Sequence, residues 1–278
     1  MGEKCPRNKL EELKRRLRGM NEVVVAYSGG VDSDFLLAVA AGVGLSRVLA
    51  VTVDSVFVTE QELQRAAAST EALGVSQVVV RADILSQEAV AVNSPRRCYF
   101  CKHEVFSMIQ GVAERHGIRH LLHGVNVDDL GDYRPGLEAA REMGFESPLA
   151  EVGFTKAEIR ACAREMGLPS WDLPSQSCLA TRIPYGQRIT PEALDRIKRA
   201  EDCLRKLVVQ PGDRLRVRSH GDMARIETEA WVMEALVGNP EIRTRVVEEL
   251  KGMGFVHVSL DLAGYSHGGM NQGLVSKA

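Results

Sequence analysis

Residues 27–33 read YSGGVDS, between an apolar run at 23–26 and an apolar pattern at 35–39. The order of these segments predicts a strand, a glycine-rich turn and a helix. Because glycine has no Cβ, the backbone of Gly29 and Gly30 can approach a ligand closely. The first turn of the following helix offers unpaired N–H groups and a partial positive charge, and both favour an anion.

The turn lacks the lysine that a Walker A loop places beside its last serine or threonine. Ser28 and Ser33 instead add hydroxyl donors to the glycine backbone. Such a turn suits a pyrophosphate held by main-chain groups, and hence chemistry at the α-phosphate of ATP with pyrophosphate as the leaving group. The SGGxDS string resembles the PP-loop of the ATP pyrophosphatase superfamily, whose members adenylate their substrates.

This resemblance implies a site for ATP and Mg²⁺ where the first strands end. The residues expected to line the nucleotide site are Ala26, Ser28, Gly29, Gly30, Asp32, Ser33, Asp54 and Gly124. Asp32 is expected to position Mg²⁺, although a carboxylate in the first helical turn is also favoured by the helix dipole alone. The backbone near Asp54 is expected to contact the adenine base.

Alternating apolar strands and helical patterns predict the fold class. Strands are predicted near 22–27, 47–53, 78–80 and 121–124, and helices near 9–20, 32–43, 59–73, 100–116 and 155–167. This alternation is typical of an α/β fold, in which helices cover both faces of a parallel sheet. Ligands bind such sheets beyond the C-terminal strand ends, so the loops that begin at Tyr27, Asp54 and Gly124 should converge.

A loop-rich connection containing Pro174, Pro184 and Gly186 indicates a domain boundary. We expect a PP-loop domain at 1–188, a smaller α+β domain at 189–264 and a mobile tail at 265–278. In the second domain, helices are predicted at 191–207 and 240–252, and strands near 213–219, 223–228 and 255–262.

Composition and charge exclude several classes of protein. The chain has 278 residues, a formal net charge of −2 and no long run of Lys or Arg, which argues against a nucleic-acid partner. No apolar stretch approaches the roughly 20 residues that span a bilayer. Residues 1–20 are polar and lack an apolar signal segment. We therefore expect a cytoplasmic protein without membrane association.

Six cysteines occupy positions 5, 98, 101, 162, 178 and 203. In a cytosolic chain they argue against structural disulfides and for metal-bound or redox-active sulfur. Cys98 and Cys101 form a CxxC motif before a predicted helix, where Arg96, Arg97 and Lys102 favour the thiolate form. The motif alone leaves zinc, iron–sulfur and redox roles open.

Cys178 is the third candidate thiol. A structural zinc site would need a fourth ligand, which His103 could provide, whereas three cysteines on a cubane cluster leave one iron open to an external ligand such as sulfide. The remaining cysteines have no comparable context. Cys162 is expected in the core, because it lies among apolar residues of a predicted helix.

Over nearly its whole length the chain resembles the LarE family, the pyridinium-3,5-biscarboxylic acid mononucleotide sulfurtransferases of nickel-pincer nucleotide cofactor biosynthesis. Beyond the PP-loop, the resemblance rests on DDLGDYRPG at 128–136, SPL at 147–149, WD at 171–172, CLATRIPYG at 178–186, RVRSH at 216–220 and ARIE at 224–227. It implies that the chain adenylates the carboxylates of a small-molecule nucleotide and converts them to thiocarboxylates. It also implies a homo-oligomer, specifically a hexamer.

The family has two sources of sulfur. Some members give up the sulfur of one cysteine, which becomes dehydroalanine, and others use three cysteines that hold a [4Fe-4S] cluster. Cys98, Cys101 and Cys178 match the three-cysteine type. The resemblance therefore implies a cluster-dependent enzyme, with sacrifice of Cys178 as the alternative. The donor that renews the sulfur is unknown.

Four arginines are expected to bind the negatively charged substrate: Arg134, Arg182, Arg216 and Arg218. The guanidinium fork matches carboxylate and phosphate groups. Arg216 and Arg218 alternate along a predicted strand and share one of its faces, a pattern that without the family match would favour a solvated surface. Glu227 is expected to contribute, with Asp32, to cation binding.

Three other functions fit parts of the sequence. A PP-loop tRNA thiolase also combines adenylation with a three-cysteine cluster, but it needs an RNA-binding region that the charge pattern does not provide. An ammonia-using amide synthetase of the superfamily leaves the CxxC unexplained. A nucleotide-gated metal or cluster carrier would bind ATP without releasing pyrophosphate.

Overall fold

A computed structural model describes residues 4–131, 135–174, 177–210 and 212–266. Its contacts divide the chain into two compact units. The first comprises Met1–Ile84 and Arg96–Gln176, and the second comprises Leu85–Pro95 and Ser177–Ala278. Residues 177–188, which the sequence analysis grouped with the first domain, thus have their contacts in the second unit.

The described residues form eleven α-helices and seven strands. The helices are α1 (Arg7–Arg18), α2 (Val31–Gly42), α3 (Glu60–Ala72), α4 (Glu88–Ala91), α5 (Arg97–His116), α6 (Pro135–Glu142), α7 (Pro148–Val152), α8 (Lys156–Glu165), α9 (Pro191–Leu207), α10 (Ala230–Gly238) and α11 (Pro240–Gly252). The strands are β1 (Glu22–Ala26), β2 (Arg47–Asp54), β3 (Ser76–Arg81), β4 (His120–His123), β5 (Leu215–His220), β6 (Met223–Thr228) and β7 (His257–Leu260). Short 3₁₀ helices occur at Ile84–Ser86, Val127–Gly131, Pro169–Asp172 and Leu179–Arg182.

The first unit is built on a four-stranded parallel sheet in the order β3-β2-β1-β4. On the central strand, Val25 is in register with Ala50 on one side and Leu122 on the other. The C-terminal ends of β1, β2 and β4 therefore reach the same edge of the sheet. One face packs on α1, α2 and α8, and the other packs on α5 and α6, so the predicted α/β class is confirmed.

Local sequence signals explain where the helices of this unit begin and end. Thr59 and Glu62 form a capping box at the start of α3, and Thr155 and Glu158 form another at the start of α8. Helix α5 ends at Gly117, whose backbone is left-handed with φ 70°.

The second unit contains a three-stranded mixed sheet in the order β5-β6-β7. Strands β5 and β6 are antiparallel, whereas β6 and β7 are parallel. Its core is formed by the sheet and apolar residues of α9, α10 and α11. The segment 85–95 joins this unit because buried Asn93 donates through Nδ2 to the carbonyl oxygens of Ile183, Pro184 and Gln187 at 2.8–3.1 Å.

One prediction from the cysteines is wrong: Cys5 and Cys162 form a disulfide. The prediction relied on the expected compartment, which says nothing about the cysteine side chains that the fold brings together. The segment before α1 packs on α8, where the backbone N–H of Cys5 donates to Glu165 at 3.0 Å. Cys162 is fully buried, as predicted, whereas Cys98, Cys101, Cys178 and Cys203 are thiols.

Four helices were missed: α4, α6, α7 and α10. Two of them, α4 and α7, have only four and five residues, too few to show a periodic pattern. Tyr265, assigned to the expected tail, donates its backbone N–H to Thr228 at 3.0 Å. No helix among the described residues is long and apolar enough to cross a membrane.

Candidate active site

The PP-loop, residues 28–33, is shaped by close packing and by its own hydroxyl groups. Gly29 has φ +69°, and a Cβ at this position would lie 3.1 Å from the Cβ of Ala66. The Oγ of Ser33 accepts from the N–H of Ser28 at 3.3 Å and donates to the carbonyl of Gly30 at 3.0 Å. The loop is therefore held in shape before any phosphate binds.

Gly124 brings the end of β4 against the PP-loop. A Cβ at Gly124 would stand 2.7 Å from the backbone nitrogen of Ser33, a distance at which backbone must move. Only glycine allows this approach of β4 to the first turn of α2. The structure thus places Gly124 beside Ser33, as the convergence of strand ends requires. Asp54 ends β2 at the same edge, with a carboxylate oxygen 3.8 Å from the Nε of Arg81.

Asp32 is the PP-loop carboxylate, and Lys156 neutralises it. The Nζ of Lys156 contacts Oδ2 of Asp32 directly, and the amide of Asn126 donates to Oδ1 at 3.3 Å. Burial raises the pKa of Asp32, and the charge of Lys156 opposes that rise. The carboxylate is chemically suited to Mg²⁺, which prefers oxygen ligands, but it shares its position with this amine.

Lys156 was missed because it is distant in the chain. It opens α8, and its backbone N–H donates to Asp128 at 2.8 Å, which ties that helix to the loop after β4. Its capping box identified the helix start but not the neighbour of its first side chain. The PP-loop has no lysine of its own, and the fold supplies one from α8.

A buried carboxylate also fixes both flanks of the PP-loop. Asp34 accepts hydrogen bonds from Tyr27 at 2.7 Å and from Ser69 and Ser170 at 2.5 Å each. Burial raises the pKa of Tyr27, so its hydroxyl stays protonated and can donate. Three segments of the first unit are thereby held to the start of α2. No local sequence pattern indicated this network.

The CxxC motif lies in the first turn and a half of α5. Both thiols are half-buried, and the guanidinium of buried Arg97 approaches the sulfur of Cys98 to 3.6 Å. A Cβ at Gly136 of α6 would lie 2.9 Å from Cγ of Lys102. Helix α6 therefore packs closely on the CxxC turn, which explains the glycine that ends the DDLGDYRPG string.

A buried histidine, His123, ends β4, and the sequence did not indicate its role. Its Nε2 lies 2.6 Å from the Oγ of Ser147. Burial, with a smaller contribution from the charge of Lys102, lowers the pKa of His123 to about 4. The imidazole is therefore neutral near pH 7.

In the second unit, the arginine cluster consists of Arg182, Arg216 and Arg218 with Glu201 and Glu227. Two of the arginines are paired with carboxylates. Arg182 binds Glu201 through two bonds of 2.8 and 3.2 Å, and Arg218 binds Glu227 through two bonds of 2.9 and 2.8 Å. Glu227 also accepts from Arg225 at 2.9 Å, so guanidinium groups engage both of its oxygens.

Arg182 also organises the turn that carries Cys178. Its Nη1 donates to the carbonyl of Ser177 at 2.6 Å and to that of Cys178 at 3.3 Å. The same guanidinium therefore holds both Glu201 and the backbone beside an exposed candidate sulfur residue. Burial lowers the pKa of Arg182. The pairing with Glu201, with a smaller contribution from the charge of Cys178, outweighs that effect, and the pKa is raised overall.

Arg216 differs from its neighbours. It is only 5% exposed, yet no carboxylate of the described residues pairs with it. Its guanidinium lies 4.6 Å from the ring centre of Tyr265, and Nη1 is 3.5 Å from the carbonyl of Ser266. Burial lowers its pKa, but a guanidinium stays charged near pH 7. A buried charge without a counterion indicates a site for an anion.

The other predicted positions have mixed outcomes. Arg134 lies outside the described residues. No three His, Cys, Asp or Glu side chains in the described part of the chain are grouped so that they could hold a metal ion. Cys98 and Cys101 share one helical turn in the first unit, and Cys178 belongs to the second. Their thiols are suitable donors for iron, and the cluster itself stays a prediction.

No family model matches the chain. Individual proteins are similar to it. An uncharacterised protein of Synechocystis, slr1717, is 39% identical over 95% of this chain and 97% of its own length. Pyridinium-3,5-bisthiocarboxylic acid mononucleotide synthase of Lactiplantibacillus plantarum is 36% identical over 93% and 92%. The glutamine-hydrolysing GMP synthase of Thermus thermophilus is 30% identical over 74% of this chain but 45% of its own length.

The parallel sheet, the PP-loop at its edge and the similarity to GMP synthase define an enzyme of the PP-loop superfamily. Within it, identity along more than nine-tenths of both chains decides the family. The chain belongs to the pyridinium-3,5-bisthiocarboxylic acid mononucleotide synthase family, LarE, and the family resemblance predicted from the motifs is confirmed.

Proposed function

We propose that this enzyme uses ATP to adenylate the carboxylates of a pyridinium dicarboxylate mononucleotide and then converts them to thiocarboxylates. The observation that carries the substrate class is Arg216, a buried guanidinium whose counterion is not among the described residues. A substrate with carboxylates and a phosphate supplies such a counterion. The similarity to the Lactiplantibacillus synthase supports the same assignment.

Adenylation comes first because a carboxylate has no good leaving group. A carboxylate oxygen attacks the α-phosphorus of ATP, the bond to the β-phosphate oxygen breaks, and pyrophosphate leaves. The N–H groups at the start of α2, with the hydroxyls of Ser28 and Ser33, would hold the departing pyrophosphate. Asp32 would position Mg²⁺, which neutralises phosphate charge, and Lys156 adds a second cation beside the loop.

Thiocarboxylate formation follows. A sulfur nucleophile attacks the activated carbonyl carbon, the bond from that carbon to the AMP oxygen breaks, and AMP leaves. Sulfur is a strong nucleophile near neutral pH once deprotonated, so no dedicated general base is required. Arg182, which binds the backbone of Ser177 and Cys178, would hold the cysteine turn in place during this step.

The source of sulfur is part of the proposal. Cys98, Cys101 and Cys178 would hold a [4Fe-4S] cluster, which supplies the transferable sulfur when bound. The donor chemistry supports this assignment, because all three are thiols and none is consumed by the disulfide. The alternative is the loss of sulfur from Cys178 itself. The homo-hexamer is likewise proposed from the family resemblance, and the cytoplasmic location and the lack of a nucleic-acid partner are proposed from the composition and charge of the sequence.

The test begins with anaerobic reconstitution with iron and sulfide, followed by ATP and the pyridinium dicarboxylate mononucleotide. We expect AMP, pyrophosphate and a thiocarboxylate, measured by mass spectrometry, over several turnovers. Cys98→Ala and Cys178→Ala should lose both the cluster absorbance and multiple turnover, whereas Cys203→Ala should keep both. Conversion of Cys178 to dehydroalanine after a single turnover would establish the sacrificial route, and thiolation of tRNA alone would establish the competing substrate.

A further inference from the structure

The chain after β7 turns back onto β6 in a defined way. The backbone N–H of Asp261 donates to Ile226 at 2.9 Å, and that of Gly264 donates to Asp261 at 3.0 Å. Gly264 has φ +69°, and a Cβ there would stand 3.1 Å from the carbonyl of Thr228. A side chain at this position would be strained, so the turn depends on glycine.

This turn delivers Tyr265 to the arginine cluster. The guanidinium of Arg216 lies 4.6 Å from the centre of its ring, and that of Arg214 lies 5.5 Å from it. Arg214 immediately precedes β5 and Arg216 is the second residue of that strand, and both guanidiniums lie within cation–π distance of the ring. The ring is half-buried and does not belong to the apolar core of the second unit. Packing of that core therefore does not explain its position.

An aromatic face beside an unneutralised guanidinium has a specific chemical meaning. The face of a tyrosine ring attracts cations, and the guanidinium attracts anions. A ligand that satisfies both carries a flat cationic ring with negative groups attached to it. A pyridinium ring bearing carboxylates has this combination, whereas neither ribose phosphate nor the adenine of ATP does.

We propose that Tyr265 and Arg216 form the subsite for the substrate ring, in which Tyr265 stacks on the pyridinium and Arg216 binds a carboxylate attached to it. This inference rests on the proposed function and adds a specificity residue to it. The guanidinium of Arg216 is 3.5 Å from the carbonyl oxygen of Ser266, which is the limit of a hydrogen bond. On binding, it would exchange this weak contact for an ion pair with the substrate carboxylate.

The test measures ligand binding by calorimetry with wild type, Tyr265→Leu and Tyr265→Phe. The probes are nicotinic acid mononucleotide, which has a pyridinium ring and one carboxylate, and ribose 5-phosphate, which has neither. Loss of the ring face should weaken binding of the pyridinium nucleotide about tenfold and leave ribose 5-phosphate within about twofold. Tyr265→Phe keeps the aromatic face and should stay close to wild type.

A purely structural role of Tyr265 gives a different pattern. If the ring only holds Arg216 in place, Tyr265→Leu weakens isophthalate, which carries carboxylates on an uncharged ring, as much as it weakens nicotinic acid mononucleotide. This result would overturn the proposal, as would unchanged binding of nicotinic acid mononucleotide. If wild type binds no pyridinium nucleotide at all, the proposed function fails with it. If wild type binds and the leucine variant binds equally well, only the ring subsite fails.

Tyr265→Trp gives a readout that does not depend on activity. An indole stacked on the electron-poor pyridinium should lose fluorescence when nicotinic acid mononucleotide binds. The chain has two other tryptophans, so the signal is the difference from wild type. Ribose 5-phosphate should leave that difference unchanged. Equal quenching by both probes, or quenching by neither, would contradict stacking.

Discussion

In the first unit, the half-buried carboxylate of Asp32 contacts Lys156, and the buried imidazole of His123 stays neutral. In the second unit, the buried guanidinium of Arg216 has no carboxylate among the described residues, although Arg182 and Arg218 beside it do. The two regions therefore treat buried charge differently. The PP-loop region is neutralised by the protein, and the arginine cluster retains one positive charge.

The PP-loop site is therefore formed before its ligand binds, whereas the arginine cluster has an unpaired charge that its ligand would neutralise. Burying an uncompensated charge is costly, so a fold that tolerates one gains more free energy when an anion arrives. The PP-loop is shaped and neutralised before ATP binds. The arginine cluster should therefore gain more stability from its ligand. A ligand that binds only the native state adds RT ln(1 + [L]/Kd) to the free energy of unfolding, so a tighter ligand adds more at a given concentration.

The largest expected effect concerns His123. Its folded pKa, about 4, lies below the ordinary 6.5, so the unfolded state takes up the proton first as pH falls. His123 therefore does not lower the free energy of unfolding above pH 6.5. As the pH falls from 6.5 to 4, it should lower that free energy by roughly 3 kcal/mol. Urea unfolding across this range should show the loss relative to His123→Gln.

The matched control for this prediction is His103→Gln, at an exposed position on α5. It should have the same pH dependence as wild type. If the free energy of unfolding falls equally steeply with decreasing pH in wild type and in His123→Gln, the buried imidazole does not resist protonation.

The second effect concerns the shape of the PP-loop region. Gly124→Ala places a methyl group against the backbone nitrogen of Ser33 and should displace the first turn of α2. Misplacement of this size typically costs about a hundredfold in rate. AMP formation should fall accordingly, whereas binding of nicotinic acid mononucleotide should be kept. Gly136→Ala, which meets only the flexible chain of Lys102 closely, should be milder.

The third effect concerns the unneutralised charge. Arg216→Gln should raise KM for the nucleotide substrate about thirtyfold, the value of one strong charge-assisted bond. KM for ATP should not change. Arg199→Gln, at an exposed position in the same unit, is the matched control. An equal rise in both KM values would show that Arg216 serves general stability.

The smallest effect concerns Lys156. Lys156→Met removes the cation beside Asp32 while burial remains, so the pKa of Asp32 should rise further. If ionised Asp32 is the active form, the acid limb of the pH–rate profile moves to higher pH, with about a tenfold loss near neutrality. Lys156→Arg should restore most of the profile. A profile of unchanged shape would separate Lys156 from the state of Asp32.

Local sequence signals predicted the parts of the molecule that depend on neighbouring residues. The strand, turn and helix around Gly29, the parallel sheet and a helix near the CxxC all follow from short-range patterns, although that helix begins at Arg97 and contains the CxxC that was predicted to precede it. The contacts that complete the site are long-range. Lys156 reaches Asp32 across 124 residues, Ser170 reaches Asp34 across 136, and Cys5 meets Cys162 across 157. Periodicity does not record such partners.

The motifs of the second unit illustrate the same limit. The alternation of Arg216 and Arg218 showed that they share a strand face, but not that one would be paired and the other unpaired. That distinction depends on where Glu227 and Tyr265 lie in the fold. The sequence after Gly264 likewise suggested a tail, whereas the backbone N–H of Tyr265 donates to Thr228 of β6 and the carbonyl of Ser266 contacts Arg216 of β5.

The most direct test of the account follows the phosphates of ATP. Reconstituted enzyme is mixed with ATP labelled at the α-phosphate and with the pyridinium dicarboxylate mononucleotide, and the products are separated. We predict labelled AMP, pyrophosphate and a thiocarboxylate in equal amounts, and no AMP without the nucleotide. Formation of ADP and phosphate, or AMP that does not depend on the nucleotide, would contradict adenylation of a substrate carboxylate.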